Sequence, residues 1–152
     1  MAKPFSRLMK DVLQAGGELA RLSATQLAHE VQDASPYWDG YFANEWVVRA
    51  GDVDIPASLK GADPSPEPQV RDITYAKVPE PKKVGSTFVY SIGNQMEYRL
   101  RAMDIEPGRN AEGNPRNYVP KGWFETYNQG GEQLRVLQQS TNRVMRALGF
   151  GK

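Results

Sequence analysis

The chain has 152 residues, a formal net charge of +1, 39% apolar residues and 24% charged residues. These values predict one ordinary domain, residues 1–152, which buries roughly two thirds of the surface of the unfolded chain without metals or crosslinks. The absence of cysteine excludes disulfide scaffolds, thiolate zinc sites, iron–sulfur clusters and cysteine nucleophiles. The near-neutral charge argues against a protein that works mainly by coating phosphate backbones. We expect neither a signal peptide nor a membrane span, because no apolar run of about 18 residues occurs.

The first predicted element is a helix over residues 5–33. Gly16-Gly17 interrupts its apolar stripe, which indicates either a bend or a close approach of another part of the chain. Ser23 and Gln26 have the spacing of a capping box, so a second helix beginning there is an alternative. Pro36 ends the helical region. The stripe repeats at alternating spacings of three and four residues and contains Phe5, Leu8, Val12, Ala15, Leu19 and Leu22.

Three runs rich in β-branched and aromatic residues predict an antiparallel sheet over about residues 44–92. The runs cover residues 44–50, 70–78 and 87–92. Residues 52–68 separate the first two runs, and their four prolines and four acids predict a long exposed loop. Three strands suffice for a stable antiparallel sheet when helices cover one face.

After the sheet, Asn94 stands where it can cap a short helix over about residues 95–104. A polar stretch with glycine and proline follows over residues 109–122, and Trp123-Phe124 marks a return to the core. The chain then predicts an amphipathic helix over about residues 131–148, whose apolar stripe contains Leu134, Leu137, Thr141, Val144 and Leu148. The element order predicts an α+β fold, in which a small antiparallel β-sheet packs against a long N-terminal and a C-terminal amphipathic helix, with long exposed loops.

Little in the sequence favours catalysis. His29 is the only histidine, and no serine or acid can be placed beside it, so we interpret it as a helix-flank residue. The acid pairs Asp104 with Glu106, or Glu97 with Asp104, are candidates for the two carboxylates of a small muralytic enzyme, although their spacing is not diagnostic. No phosphate-binding loop, dinucleotide fingerprint or HExxH zinc motif occurs. We therefore expect no enzyme and no catalytic, cofactor or metal site, with a small phage lytic enzyme as one alternative.

A nucleic-acid-binding module is the second alternative. Aromatic and basic residues interleave after the third run, which is a pattern that can stack on single strands. These residues are Tyr90, Tyr98, Arg99 and Arg101. Two acids nearby, Glu97 and Asp104, and the strand position of Tyr90 favour an ordinary structural role instead.

Residues 35–46 read Ser-Pro-Tyr-Trp-Asp-Gly-Tyr-Phe-Ala-Asn-Glu-Trp, between the first helix and the first strand. This segment resembles a motif of the head-to-tail joining proteins of tailed bacteriophages, the neck or tail-completion family. The matching positions are Pro36, Gly40, Asn44 and Trp46. Asp39 stands where the family usually has threonine, and Tyr41-Phe42 stands where a more polar pair is common. The residues also have a local explanation, since Pro36 ends the helix, Gly40 supplies a positive φ, and Phe42 and Trp46 anchor helix to sheet.

The rest of the chain resembles the same family in the same order, over residues 5–148. The similar pieces are Ile92-Gly-Asn94, Glu97-Tyr98, Glu106-Pro-Gly108, Pro120, Trp123-Phe124 and the final helix. The resemblance implies a virion structural protein, made in the host cytoplasm, that forms a ring, a hexamer or a dodecamer, in the neck between the DNA-filled head and the tail. It implies no catalytic activity.

The partners that the resemblance implies are copies of the same chain, neighbouring neck, connector or tail-tube proteins, and DNA only as cargo passing the channel, with no membrane. A ring is built from head-to-tail interfaces closed by rotation. We expect the long loops, residues 52–68 and either 79–86 or 109–122, to contact neighbours. The acids of the first loop, facing the channel, would repel passing DNA; they are Asp52, Asp54, Asp63 and Glu67.

Overall fold

Helix α1 (Phe5–Ala34) is the longest element and contacts both the strands and the other helices. The computed structural model describes residues 5–37, 40–60, 66–67, 69–97, 123–128 and 131–147, with side chains from residue 13 onward. The other elements in these ranges are α2 (Tyr41–Asn44), β1 (Trp46–Ala50), β2 (Lys83–Val84), β3 (Thr87–Phe88), β4 (Tyr90–Asn94), α3 (Trp123–Asn128) and α4 (Gly131–Ala147). This mixed arrangement of helices and antiparallel strands confirms the predicted α+β class.

The glycine pair in α1 is a place of close packing and not a break. The helix continues through it, and a Cβ at Gly17 would lie 3.1 Å from Pro81 Cγ, while one at Gly16 would lie 3.4 Å from Phe88 Cε2. The alternative of a second helix beginning at Ser23 is wrong, because Ser23 Oγ donates back to Leu19 O at 2.9 Å inside the same helix. The two glycines therefore let the β2–β3 region approach the α1 backbone.

The sheet is small and antiparallel. β1 pairs with β4, so that Trp46 lies opposite Asn94 and Ala50 opposite Tyr90, while β2 and β3 form a separate hairpin. The prediction of a strand over residues 70–78 is wrong. Residues 69–78, here called the extended segment, run without a turn or bend but pair with no strand among the described residues. Side chains of α1 and α2 bond the main chain of this segment instead.

The stretch that follows β4 also differs from prediction. Met96 forms an isolated parallel bridge with Leu59, so the short helix expected over residues 95–104 is absent at its start, and residues 98–104 lie outside the described part, as does the 109–122 stretch. Asn94 Oδ1 does accept the Met96 N–H at 2.9 Å, which is a local cap-like bond. Its Nδ2, however, donates to Phe42 O at 2.7 Å and so ties β4 to α2.

Residues 52–60 are exposed, as the loop prediction requires, except at Ile55. Ile55 is buried against β4, where a Cβ at Gly93 would lie 3.1 Å from Ile55 Cδ1. Glycine at position 93 therefore leaves the space that this one apolar anchor fills. Residues 61–65 and 68 of the predicted loop lie outside the described ranges.

The core lies between α1 and the β1–β4 sheet and continues under α3. One cluster of buried side chains contains Val31, Phe42, Trp46, Met96 and Trp123, and a second contains Ala24, Ala28 and Val48. Small alanines on α1 allow the sheet to lie close to the helix axis, whereas the aromatic residues fill the wider end. The return of the chain to the core at Trp123 is confirmed, although within a short helix that was not predicted.

Helix α4 covers residues 131–147 of the predicted 131–148, and Leu148 lies outside the described part. It runs antiparallel to α1, because Arg135 pairs with Glu30 while Gln139 contacts Gln26 at 2.6 Å. The residues of α4 that are buried are Val136 and Ser140. They do not belong to the apolar stripe predicted from the sequence.

Candidate functional site

The four positions Pro36, Gly40, Asn44 and Trp46 meet in one corner, residues 35–46, where the chain leaves α1 and enters β1. Pro36 follows the last turn of the helix. Gly40 has φ +87°, and a Cβ there would lie 2.9 Å from Tyr37 Oη, so glycine is required both by conformation and by space. Trp38 and Asp39 of this corner lie outside the described residues.

Trp46 fixes the corner to the end of α1. Its Nε1 donates to Ser35 Oγ at 2.9 Å, and Ser35 Oγ donates to Val31 O at 2.7 Å, so the buried indole N–H has a partner. The ring meets Phe42 edge-on at a centroid distance of 5.9 Å. The predicted anchoring of helix to sheet by Phe42 and Trp46 is confirmed.

Asn44 attaches the extended segment to the corner. Its Oδ1 accepts the Thr74 N–H at 2.8 Å, and its Nδ2 donates to Asp72 O at 3.2 Å. The hydroxyl of Tyr37 takes part as well, because it accepts the Asp72 N–H at 3.0 Å. Asn44 is thus a substitute for a neighbouring strand, offering one acceptor and one donor to an extended main chain.

Gln32 makes the same kind of contact from α1, and sequence reasoning missed it. Its buried side chain donates from Nε2 to Ala43 O and to Thr74 O, both at 3.0 Å, and its Oε1 accepts the Ala76 N–H at 2.7 Å. The signal in the sequence was a glutamine beside Ala28 and Val31 on the face of α1 that packs in the core. A polar side chain in that position requires partners.

Arg71 and Tyr75 hold the extended segment to the end of α1. Arg71 donates to the last-turn carbonyls of Gln32 at 3.2 Å and of Asp33, where a cation is favoured by the helix dipole. The Tyr75 hydroxyl donates to Asp33 Oδ1 at 2.7 Å, and this bond raises the pKa of Tyr75 above its ordinary value of 10.0. His29 stacks on the Tyr75 ring at a centroid distance of 4.4 Å, in agreement with its interpretation as a helix-flank residue.

An open groove lies on the other side of α1, between β4 and α4. Its volume is about 490 Å³, and α1 forms its floor. The apolar side chains lining it are Leu19, Leu27, Phe88, Ile92, Leu134 and Leu137. A groove with apolar walls and few polar groups suits an apolar ligand or an apolar surface of another protein.

Two leucines of the predicted apolar stripe of α4, Leu134 and Leu137, line this groove. Leu134 is 71% exposed and Leu137 47% exposed, whereas Val136, which also lines the groove, is 1% exposed. An amphipathic helix ordinarily packs its apolar stripe against the core, whereas these two leucines are exposed. Arg135 of α4 pairs with Glu30 of α1 and with Glu132 of its own helix.

Of the acids considered for catalysis, the structure describes one. Glu97 is exposed, and Asp104 and Glu106 lie outside the described part of the chain. The aromatic and basic set is also incomplete there, because Tyr98, Arg99 and Arg101 are not described, while the Tyr90 hydroxyl donates to Pro79 O at 2.8 Å. Among the described side chains, no three histidines or acids converge as metal ligands. Within the same ranges, no helix has the length and apolar character needed to cross a membrane.

No family model, no curated protein and no solved structure matches this chain.

Proposed function

We propose that this chain is a structural protein in the virion of a tailed bacteriophage. In this proposal it forms a ring, hexameric or dodecameric, in the neck, where it joins the tail to the head or completes the tail. Its partners are copies of itself and the neighbouring neck, connector or tail-tube proteins, while DNA passes through the channel as cargo. The role is structural and not catalytic.

The observation that carries the proposal is the rotation of α4. A helix that served only its own core would bury its apolar stripe, yet Leu134 and Leu137 point into an open groove beside β4. Contiguous exposed apolar surface of this kind is typical of a protein that is completed by a partner. A subunit of a ring has such a surface by necessity, because each copy is covered by the next.

The corner supplies the second support. The residues that resemble the neck family's motif, Gly40, Asn44 and Trp46, each have a defined structural task there: a left-handed turn, the attachment of the extended segment, and the anchor of helix to sheet. That these motif residues act together to position two segments supports the resemblance.

The experiment is electron microscopy of a lysate from a phage that lacks this gene, with free heads, free tails and joined particles counted. We expect filled heads beside unattached or abnormal tails, and restoration of joined particles when the intact gene is supplied in trans. Normally joined particles in the deletion lysate would contradict the proposal. In that case a turbidity assay on peptidoglycan and the salt dependence of DNA binding test the lytic and nucleic-acid alternatives.

A further inference from the structure

The extended segment has one bonded edge and one open edge. The main-chain groups of Asp72, Thr74 and Ala76 are bonded by side chains of α1, α2 and the corner. In an extended chain, the main-chain N–H and C=O groups of alternate residues point toward opposite edges. In the part of the chain that the structure describes, the main-chain groups of Arg71, Ile73, Tyr75 and Lys77 have no hydrogen-bond partner.

Strand β4 also has an open edge, and that edge borders the groove. Bonds from Gly51 N to Val89 O and from Gln95 N to Glu45 O extend the β1–β4 ladder at its two ends. Because hydrogen-bonded pairs alternate in an antiparallel ladder, these bonds place Tyr90 and Ile92 in non-bonded pairs, with their main-chain groups directed away from β1. No described residue bonds those groups.

The two open edges belong to different parts of the subunit, which contact different faces of α1. His29, which stacks on Tyr75 of the extended segment, lies about 160° around the α1 axis from Leu27, which lines the groove. Two different, complementary surfaces make a head-to-tail contact, which closes into a ring when the rotation between copies allows it.

We propose that the extended segment of one copy enters the groove of the next copy and adds a strand to β4. In this interface the open edge at Ile73 and Tyr75 pairs with the open edge at Tyr90 and Ile92, as in strand addition to an exposed sheet edge. Val70, which is 90% exposed, and the apolar groove wall at Leu134 are then covered together. The inference rests on the proposed ring and names how its subunits join.

Cross-linking tests the contact, since the natural chain has no cysteine. The double variant Lys77→Cys with Leu137→Cys, treated with a short bis-maleimide reagent, should give a ladder of covalent products beyond the dimer. The matched control is Lys77→Cys with Gln138→Cys, because Gln138 is an exposed neighbour on α4 that does not line the groove. Equal ladders from both double variants, or none from either, would overturn the inference.

Amide hydrogen exchange supplies an independent readout at single residues. On assembly, exchange at Ile73, Tyr75, Tyr90 and Ile92 should slow by at least about tenfold, which corresponds to about 1.4 kcal/mol. The bonded amides of Thr74 and Ala76 should change much less. Slow exchange at Tyr90 and Ile92 already in the monomer means that another part of the same chain covers β4, and this overturns the inference. Rings that form without these changes in exchange also overturn the inference, but they do not contradict the proposed function. Normally joined particles in the deletion lysate would contradict the proposed function itself.

Discussion

Gln32 in α1 and Thr74 in the extended segment are joined by a hydrogen bond of 3.0 Å from the buried side-chain amide to a main-chain carbonyl. The same side chain accepts from Ala76 N at 2.7 Å. One glutamine thus does for the extended segment what a neighbouring strand does in a sheet, which is to bond the carbonyl and the amide on one edge. The opposite edge is left open for another chain.

Replacing Gln32 with leucine should destabilise the subunit. The change leaves the carbonyls of Ala43 and Thr74 and the amide of Ala76 without their side-chain partner, and we expect a loss of about 2–4 kcal/mol in the free energy of unfolding. Denaturant unfolding measures this. The control, Gln138→Leu on the exposed side of α4, should stay within about 0.5 kcal/mol of the natural chain. Equal free energies of unfolding for the two variants would show that the hydrogen bonds of Gln32 do not stabilise the subunit.

Gly40→Ala should cost more than an equivalent change at Gly85. Both glycines have positive φ, +87° and +60°, but an added Cβ at Gly40 meets Tyr37 Oη at 2.9 Å, while one at Gly85 meets nothing within 4 Å. The left-handed conformation alone costs alanine about 1–2 kcal/mol. We therefore expect about 2–3 kcal/mol at Gly40 and about 1 kcal/mol at Gly85 from thermal or denaturant unfolding. A larger loss at Gly85 would contradict the role assigned to the corner.

The elements that the sequence predicts well are those whose cause is local. The 30-residue length of α1 agrees with the predicted 5–33 because Pro36 ends the periodic pattern, and the positive φ of Gly40 follows from the turn that a helix-to-strand corner needs. The final helix is predicted correctly because its apolar residues also repeat with a helical period. In each case neighbours in sequence determine the structure.

The elements that sequence reasoning missed depend on distant partners. The extended segment has the composition of a strand, but whether it joins a ladder is decided by Gln32 and Asn44, more than 25 residues earlier in the chain. Periodicity likewise identifies the apolar stripe of α4 without saying which surface covers it. Burial of Val136 and exposure of Leu134 depend on how α4 packs against α1, which no local pattern contains.

Tyr75 should make the subunit less stable at high pH. Its hydroxyl donates to Asp33, which raises the pKa of Tyr75 in the folded protein above 10.0. The folded state then holds this proton more tightly than the unfolded chain, so the stabilisation is complete below pH 10.0 and is lost as the pH rises through the higher pKa of the folded state. Tyr75→Phe should flatten this part of the alkaline decline in the free energy of unfolding. Asp33→Asn should flatten the same decline. If the effects of the two single changes add in full in the double variant, the side chains of Tyr75 and Asp33 are not coupled.

The acids of the 52–68 loop give a prediction that depends on the proposed ring. If they face the channel, they repel DNA, and their neutralisation should slow ejection; the variant is Asp52→Asn, Asp54→Asn, Asp63→Asn and Glu67→Gln. Single-particle ejection assays on assembled phage measure the rate, and the effect should shrink as salt screens the charges. A matched variant that neutralises Lys82 and Lys83 to glutamine removes exposed charge of the opposite sign. An unchanged rate of ejection in the acid variant would contradict the placement of this loop in the channel.

Exposed and buried apolar side chains of α4 should respond differently to replacement by glutamate. Leu134→Glu with Leu137→Glu changes side chains that are exposed in the subunit, so the free energy of unfolding should shift by no more than about 1 kcal/mol. Assembly should nevertheless be lost, because two carboxylates in the apolar groove must be desolvated when a neighbour covers them.

Val136→Glu on the same helix is the comparison, since that side chain is 1% exposed and its replacement should unfold the subunit outright. Circular dichroism distinguishes the two variants as folded and unfolded, and analytical ultracentrifugation then reports the assembly state of the folded one. Rings of normal size from the Leu134→Glu, Leu137→Glu chain would show that the groove takes no part in assembly. Monomers with native unfolding behaviour locate the contact between neighbouring copies at this face of α4.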